Sequence, residues 1–175
     1  MSAFLVLNIQ STLSLIAFAL IARWHVAPRL AALSREDALL PLLWVNAFRY
    51  APLTLFAPGQ VDPAIPADAV ATIAYGDFVS ALLALAALCA LKLRVRSAIV
   101  LVWLFTVVGI ADLIVATAKA IGSEMYKFYM GWNWYIVVFY VPMLVVSQVM
   151  ILQQLLRKPS GYVARHAGPN SAVRT

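Results

Sequence analysis

The stretch LLPLLWVNAFRYAPLTLF, residues 39–56, determines how many times this chain can cross a membrane. Most of it is apolar, but it also contains two prolines, Asn46 and Arg49. Its strongly apolar side chains favour insertion by roughly 3 to 5 kcal/mol, whereas an arginine at mid-span costs about 3 kcal/mol. Hydropathy therefore leaves this segment marginal, and the rest of the chain has to settle the number of spans.

The composition is that of an integral membrane protein. Hydrophobic residues make up 64% of the 175-residue chain and charged residues only 11%, whereas soluble domains are about half apolar and about a quarter charged. The 13 lysines and arginines outnumber the 7 acidic residues. Most of these cations lie in short segments beside apolar runs, which indicates topology signals and lipid headgroup contacts and not a nucleic-acid partner.

Five segments are long enough to cross a bilayer, which takes about 20 helical residues. The sequence therefore predicts an all-α, polytopic membrane helix bundle formed by residues 1–156, with residues 157–175 as a flexible, basic cytoplasmic tail. The N-terminus has no basic leader, so we expect the first span to be retained. The predicted spans are residues 3–22, 38–56, 68–91, 98–121 and 132–156.

The positions of the basic residues favour five spans over four. With five spans the basic loops and the basic tail share one side, whereas with four the two basic loops would lie on opposite sides. Because short cytoplasmic loops are enriched in lysine and arginine, we predict an external N-terminus and a cytoplasmic C-terminus, in a multi-pass protein of the bacterial inner membrane. The basic residues of the two loops are Arg23, Arg29, Arg35, Lys92, Arg94 and Arg96.

Three ionisable residues within the predicted spans should lie at similar depths. Asp77 lies 17 residues before Arg94, in the turn between the third and fourth spans, and Asp112 lies 18 residues after it. At about 1.5 Å of rise per residue the two carboxylates reach nearly the same level. The same count places Arg49 about a turn deeper. We therefore predict that these three side chains meet in the outer half of the bundle.

The candidate site also includes neighbours of this cluster. Lys119 follows Asp112 by seven residues, hence on the same helical face two turns closer to the outer surface, where it could reach water. Asn46 and Tyr50 flank the arginine, and Pro52 should kink the helix within one turn of it. Ionisable residues at membrane depth commonly mark ion or substrate pathways; the alternative is that they only fix the packing of the helices.

A second candidate region is aromatic. The segment MYKFYMGWNWYIVVFY, residues 125–140, is typical of the aromatic belt at a membrane interface. Within it Trp132, Tyr135 and Phe139 follow helical spacing, so they would form one aromatic face. That face would suit a flat apolar ligand such as a quinone, a carotenoid or a lipid tail.

Other residues have structural interpretations. Gly76, Ser80 and Ala84 recur every four residues, as in helices that pack closely, and the single cysteine, Cys89, is expected in the core. No zinc-protease, thiol, serine-hydrolase or phosphate-loop motif is present. Both histidines fall outside the predicted spans. The sequence therefore predicts no catalytic residue, no metal site and no identifiable cofactor.

The leading functional hypothesis is a transporter or channel-like protein that binds or conducts a small solute, a proton or an ion at the Arg/Asp site. Its surroundings would be lipid, and it would act alone or as a homo-oligomer. The alternative is a non-catalytic accessory subunit or assembly factor of a larger membrane complex, or a binder of a lipid-like cofactor. A lipid-modifying enzyme that uses the two aspartates is a third possibility.

Overall fold

The computed structural model describes residues 1–157 and is all-helical over that range. It confirms five helices that are long and apolar enough to cross a membrane. Of the predicted tail only Arg157 is described; the prediction for the remainder lies outside the described residues. The helices are α1 (Ala3–Ala31), α2 (Arg35–Phe56), α3 (Ala67–Lys92), α4 (Ala98–Gly122) and α5 (Asn133–Leu156).

The first helix is longer than predicted. It was expected to end near residue 22, but it continues through a π-helical turn, Ala22–Val26, to Ala31. Pro28 does not end the helix, since this proline lies in the first turn of the α-helical segment Ala27–Ala31. Proline is tolerated there because it has no N–H to leave unpaired. Two arginines assigned to the first loop therefore belong to the helix.

The second helix begins at Arg35, three residues before the predicted span, and it changes type beside Arg49. Ser34 caps it, and its Oγ accepts the backbone N–H of Asp37 at 3.1 Å. The helix is α-helical up to Ala47 and becomes a 3-10 helix over Phe48–Phe56. Pro52 lies within that segment and cannot donate the hydrogen bond that would continue an α-helix. The helix therefore departs from α-helical geometry beside Arg49 as a 3-10 segment, while the predicted kink at Pro52 stays a prediction.

Helices α3 and α4 form the closest pair, and α2 packs beside α3. Ser80 and Ala84 of the predicted small-residue stripe are fully buried, so α3 can approach its neighbours closely. Cys89 lies on the exposed side of α3, so its predicted core position is wrong. Helix α1 packs mainly against α5 and has no buried residue over Ala3–Ile21.

The bundle has two different ends. The long-loop end holds residues 57–66 and 123–132, and the short-loop end holds residues 32–34 and 93–97. At the long-loop end Asp62 donates its N–H to the carbonyl of Tyr129 at 2.9 Å, which ties the two loops together. Gly131 has a φ of +48°, and a Cβ there would lie 2.7 Å from the carbonyl oxygen of Gln60. Only glycine fits this turn, which precedes α5 by two residues.

Candidate functional site

Arg49 lies between α3 and α4 and donates three hydrogen bonds to them. Its Nε donates to Oδ1 of Asp77 at 2.8 Å and its Nη2 donates to Oδ2 of Asp112 at 2.6 Å. Its Nη1 donates to the carbonyl oxygen of Gly109 at 3.2 Å. The arginine side chain is fully buried, and the two carboxylate side chains are each 9% exposed. Charge-assisted bonds of this length are among the stronger hydrogen bonds in proteins.

Helix geometry explains why these side chains meet. Asp77 lies ten residues after the first residue of α3, and Asp112 lies ten residues before the last residue of α4. Both are therefore about 15 Å along the helix from the long-loop end. The contact that helix counting predicts between Arg49 and the two aspartates is present in the structure.

Two glycines make room for the ionic cluster. A Cβ on Gly76 would overlap Oδ1 of Asp112. A Cβ on Gly109 would lie 3.0 Å from Nη1 of Arg49 and 2.6 Å from Nε2 of Gln148. Because α3 and α4 carry no side chain at these two points, the carboxylate and the guanidinium can fit between the helices.

The cluster contains more negative than positive groups. Ser80 donates its hydroxyl to Oδ2 of Asp112 at 3.3 Å. Arg49 supplies one positive charge, while Asp77 and Asp112 supply two negative charges when both are ionised. The set is neutral only when it holds one additional proton or cation.

Asn46 belongs to an adjacent polar network and does not contact the aspartates. Its Nδ2 donates to Oγ of Ser147 and to the carbonyl of Leu42, both at 2.9 Å. Nε2 of Gln148 donates to Oδ1 of Asn46 at 3.4 Å. Asn46, Ser147 and Gln148 are all buried. This second network joins α2 to α5 and meets the ionic cluster at Gly109.

Tyr50 and Lys119 point away from the cluster. Tyr50 is 47% exposed and packs against Phe48; it follows Arg49 directly, and consecutive helical residues face different directions. Lys119 donates to Oδ2 of Asp68 at 3.0 Å, and both side chains are substantially exposed. The lysine thus extends toward the long-loop end, as expected for a long cationic side chain near a helix terminus.

The predicted aromatic face is divided by a π-helical turn over Ile136–Tyr140. Trp132 and Tyr135 lie together, with ring centroids 5.6 Å apart, beside a shallow surface depression that Tyr140 also lines. Phe139 instead packs edge-on against Phe18 of α1, at 5.0 Å. Phe139 is thus separated from the Trp132–Tyr135 pair by the wider turn, which shifts the helical phase, and a shared ligand-binding face stays a prediction.

A cavity of about 390 Å³ lies mainly between α1, α4 and α5, and residues of α2 together with Asp77 of α3 complete its wall. The other wall residues are mostly apolar. Two fully buried N or O atoms on this wall have no hydrogen-bond partner among the described residues: Oγ of Ser11 and Nδ2 of Asn133. Oδ1 of Asn133 is held by the hydroxyl of Thr54 at 2.8 Å. The cavity is therefore a mostly apolar space that is bordered on one side by Asp77 of the ionic cluster.

The sequence of this chain matches one protein family. Residues 6–156 match the family described as Domain of unknown function (DUF8737). The chain belongs to this family. The match covers all five helices of the DUF8737 chain, including the ionic cluster. No curated protein and no solved structure matches the chain.

Sequence reasoning missed several groups of the DUF8737 site. Ser147 and Gln148 were not singled out, although a Ser-Gln pair in the middle of an apolar span is a detectable signal, since polar residues at that depth need partners. Asn133 was hidden among aromatic residues. Within residues 1–157 no group of three or more His, Cys, Asp or Glu residues could hold a metal ion.

Proposed function

We propose that the chain is a multi-pass protein of the bacterial inner membrane, with its N-terminus outside and its C-terminus in the cytoplasm. The support is the distribution of charge. At the long-loop end the described cations are Lys119 and Lys127, whereas seven loop or helix-end cations lie toward the short-loop end, in agreement with a cytoplasmic position for that end. Those seven are Arg23, Arg29, Arg35, Lys92, Arg94, Arg96 and Arg157.

Single-cysteine labelling tests this orientation. In a Cys89→Ser background, Ala64→Cys places a thiol in the long loop and Ser97→Cys places one at the opposite end; both positions are exposed. A membrane-impermeant maleimide added to intact cells should label Ala64→Cys only. Both should be labelled in inverted vesicles opened with detergent. Labelling of Ser97→Cys alone in intact cells would show the opposite orientation and contradict the proposed topology.

We further propose that the chain is a transporter in which Asp77 and Asp112 take up a proton or small cation and exchange it across the membrane. One observation carries this proposal: a single guanidinium faces two carboxyl groups in a buried site. An uncompensated charge in such surroundings is costly. A proton or cation therefore completes the site.

An anion is a poorer candidate for the ligand. Arg49 has no exposed surface, and each of its three nitrogens already donates to a protein oxygen. An anion would add a second uncompensated negative charge to the site. Asp77, by contrast, borders the cavity, so its carboxyl group is the part of the cluster that a ligand can reach.

Proton flux in liposomes containing the purified protein tests the transport proposal. A trapped pH-sensitive dye would report proton entry driven by a potassium diffusion potential. Asp77→Asn and Asp112→Asn should each abolish the protein-dependent flux. Asp68→Asn is the matched control, because it removes an exposed carboxylate that is paired with Lys119. Equal flux in the wild type and in both site variants would remove the aspartates from the mechanism.

The alternative of an accessory subunit or lipid-like cofactor binder is favoured by one other observation. Trp132 and Tyr135 are 71% and 61% exposed, next to the exposed rings of Phe48 and Tyr50. Large exposed apolar patches commonly mark contact surfaces. Under this alternative, purification in a mild detergent should retain a defined partner or pigment, and Trp132→Ala together with Tyr135→Ala should release it.

A further inference from the structure

We propose that the cavity between α1, α4 and α5 binds a lipophilic amine in its ammonium form, with the positive charge on the carboxylate of Asp77 and the apolar body among the helices. The inference rests on the proposed function, because it names the cation that the carboxyl pair would exchange for a proton.

The carboxyl group of Asp77 has capacity left for a ligand. Its Oδ1 accepts the Nε–H of Arg49, while its Oδ2 has no N–H or O–H donor within residues 1–157. A carboxylate can accept several hydrogen bonds in total. The carboxyl group borders the cavity, so an ammonium group there would replace the missing donors and supply the missing positive charge.

The remainder of the cavity selects an apolar body. A volume of about 390 Å³ falls within the range of small-molecule sites. A hydrated inorganic cation would not cover the apolar side chains of the wall. A hydrocarbon body would cover them and remove apolar surface from water. The apolar wall is formed by Leu7, Leu15, Ile73, Leu113, Val137 and Val145.

A second polar contact defines the far side of the ligand. Asn133 is only 3% exposed, and its Nδ2 lacks a hydrogen-bond partner although its Oδ1 is held by Thr54. An unpaired buried donor is costly, and an oxygen or nitrogen acceptor on the ligand would satisfy it. Oγ of Ser11 offers a similar contact from α1. The best ligand is therefore an amine that carries an acceptor on its apolar body.

The exchange balances in charge and in protons. The ionisable groups around Asp77 are Arg49 from α2, which pairs with it directly, and Asp112 from α4, which pairs with the same arginine. On α5 Tyr140 donates its hydroxyl to the carbonyl of Val45, and α1 contributes no ionisable group over Ala3–Ile21. In the empty site the carboxyl pair holds one proton and the set is neutral. When the ammonium ion binds, that proton leaves to water. One proton is released for each ammonium ion bound, and the set stays neutral.

Calorimetry on the full-length protein in an uncharged detergent tests this inference. The probes are 1-adamantylammonium and the neutral 1-adamantanol, which share an apolar body and differ in charge. Titrations in buffers of different ionisation enthalpy count the protons released. We expect the ammonium probe to bind with proton release, and Asp77→Asn to weaken it by about 30-fold or more, the loss typical of removing one partner of a buried charge pair. The exposed variant Asp68→Asn should bind as the wild type does.

A variant of the cavity wall keeps the test independent of the ionic cluster. Ala116→Leu fills the cavity from α4 without touching the aspartates, whereas Ala118→Leu makes the same change on the exposed side of the helix. The first should weaken binding of the ammonium probe. The second should leave that binding unchanged.

The outcomes separate this inference from the proposed function. Equal binding of the two probes, or binding that Asp77→Asn does not weaken, would show apolar binding alone and overturn the inference. If neither probe binds while Asp77→Asn still abolishes proton flux, the inference fails and the transport proposal stands. If neither probe binds and the flux is also independent of Asp77, both fail.

Discussion

Removing the buried arginine should destabilise the bundle strongly. Arg49→Met keeps a long unbranched side chain but removes the positive charge. The three hydrogen bonds to Asp77, Asp112 and Gly109 are lost. Two carboxyl groups that are each only 9% exposed then have no counter-charge. Breaking a buried ion pair by removing one partner costs about 3–5 kcal/mol. We expect the free energy of unfolding to fall by about that amount.

The cost should be reversible when the acids are removed as well. In the triple variant Arg49→Met, Asp77→Asn, Asp112→Asn, no formal charge remains in the site. Replacement of a complete buried ionic set is often close to neutral. We therefore expect this variant to recover most of the lost stability, even though it should bind neither a proton nor a cation.

Unfolding by sodium dodecyl sulfate in mixed micelles, followed by circular dichroism, measures both effects. Arg96→Met is the control, because it removes an arginine from an exposed turn. A loss below about 1 kcal/mol in Arg49→Met, the range of an exposed ion pair, would refute the reasoning. So would a triple variant that is less stable than Arg49→Met.

Two further predictions test local features. Gly76→Ala should lower the free energy of unfolding by about 1–3 kcal/mol, since the new methyl group overlaps the carboxylate of Asp112; Gly122→Ala, where a Cβ meets nothing within 4 Å, should not. In the long loop, the hydrogen bond from Lys127 holds the pKa of Glu124 below its ordinary value. The stabilisation by this pair is therefore present above the ordinary pKa and is lost as the pH falls through the lowered one. An NMR titration should show that Lys127→Gln raises the Glu124 midpoint, and an unchanged midpoint would exclude the contact.

The sequence by itself determined the five apolar helices and the level of the ionic cluster. Hydropathy and helix length identify the helices because each must present an apolar surface over its whole length. A fixed rise per residue then places Asp77 and Asp112 at matching positions along α3 and α4. Most predicted boundaries lie within three residues of those in the structure. The exception is the end of α1, because a π-turn is not encoded in hydropathy.

Only the tertiary structure determined which side chains reach the cluster. Side-chain direction depends on helical phase, and two local changes of helix type alter it: the 3-10 segment that begins at Phe48 and the π-turn that sets Phe139 apart from Tyr135. The spaces provided by Gly76 and Gly109 are properties of two facing helices and cannot be read from either one. The cavity beside Asp77 exists for the same reason, since it is a volume that the packed helices leave unfilled.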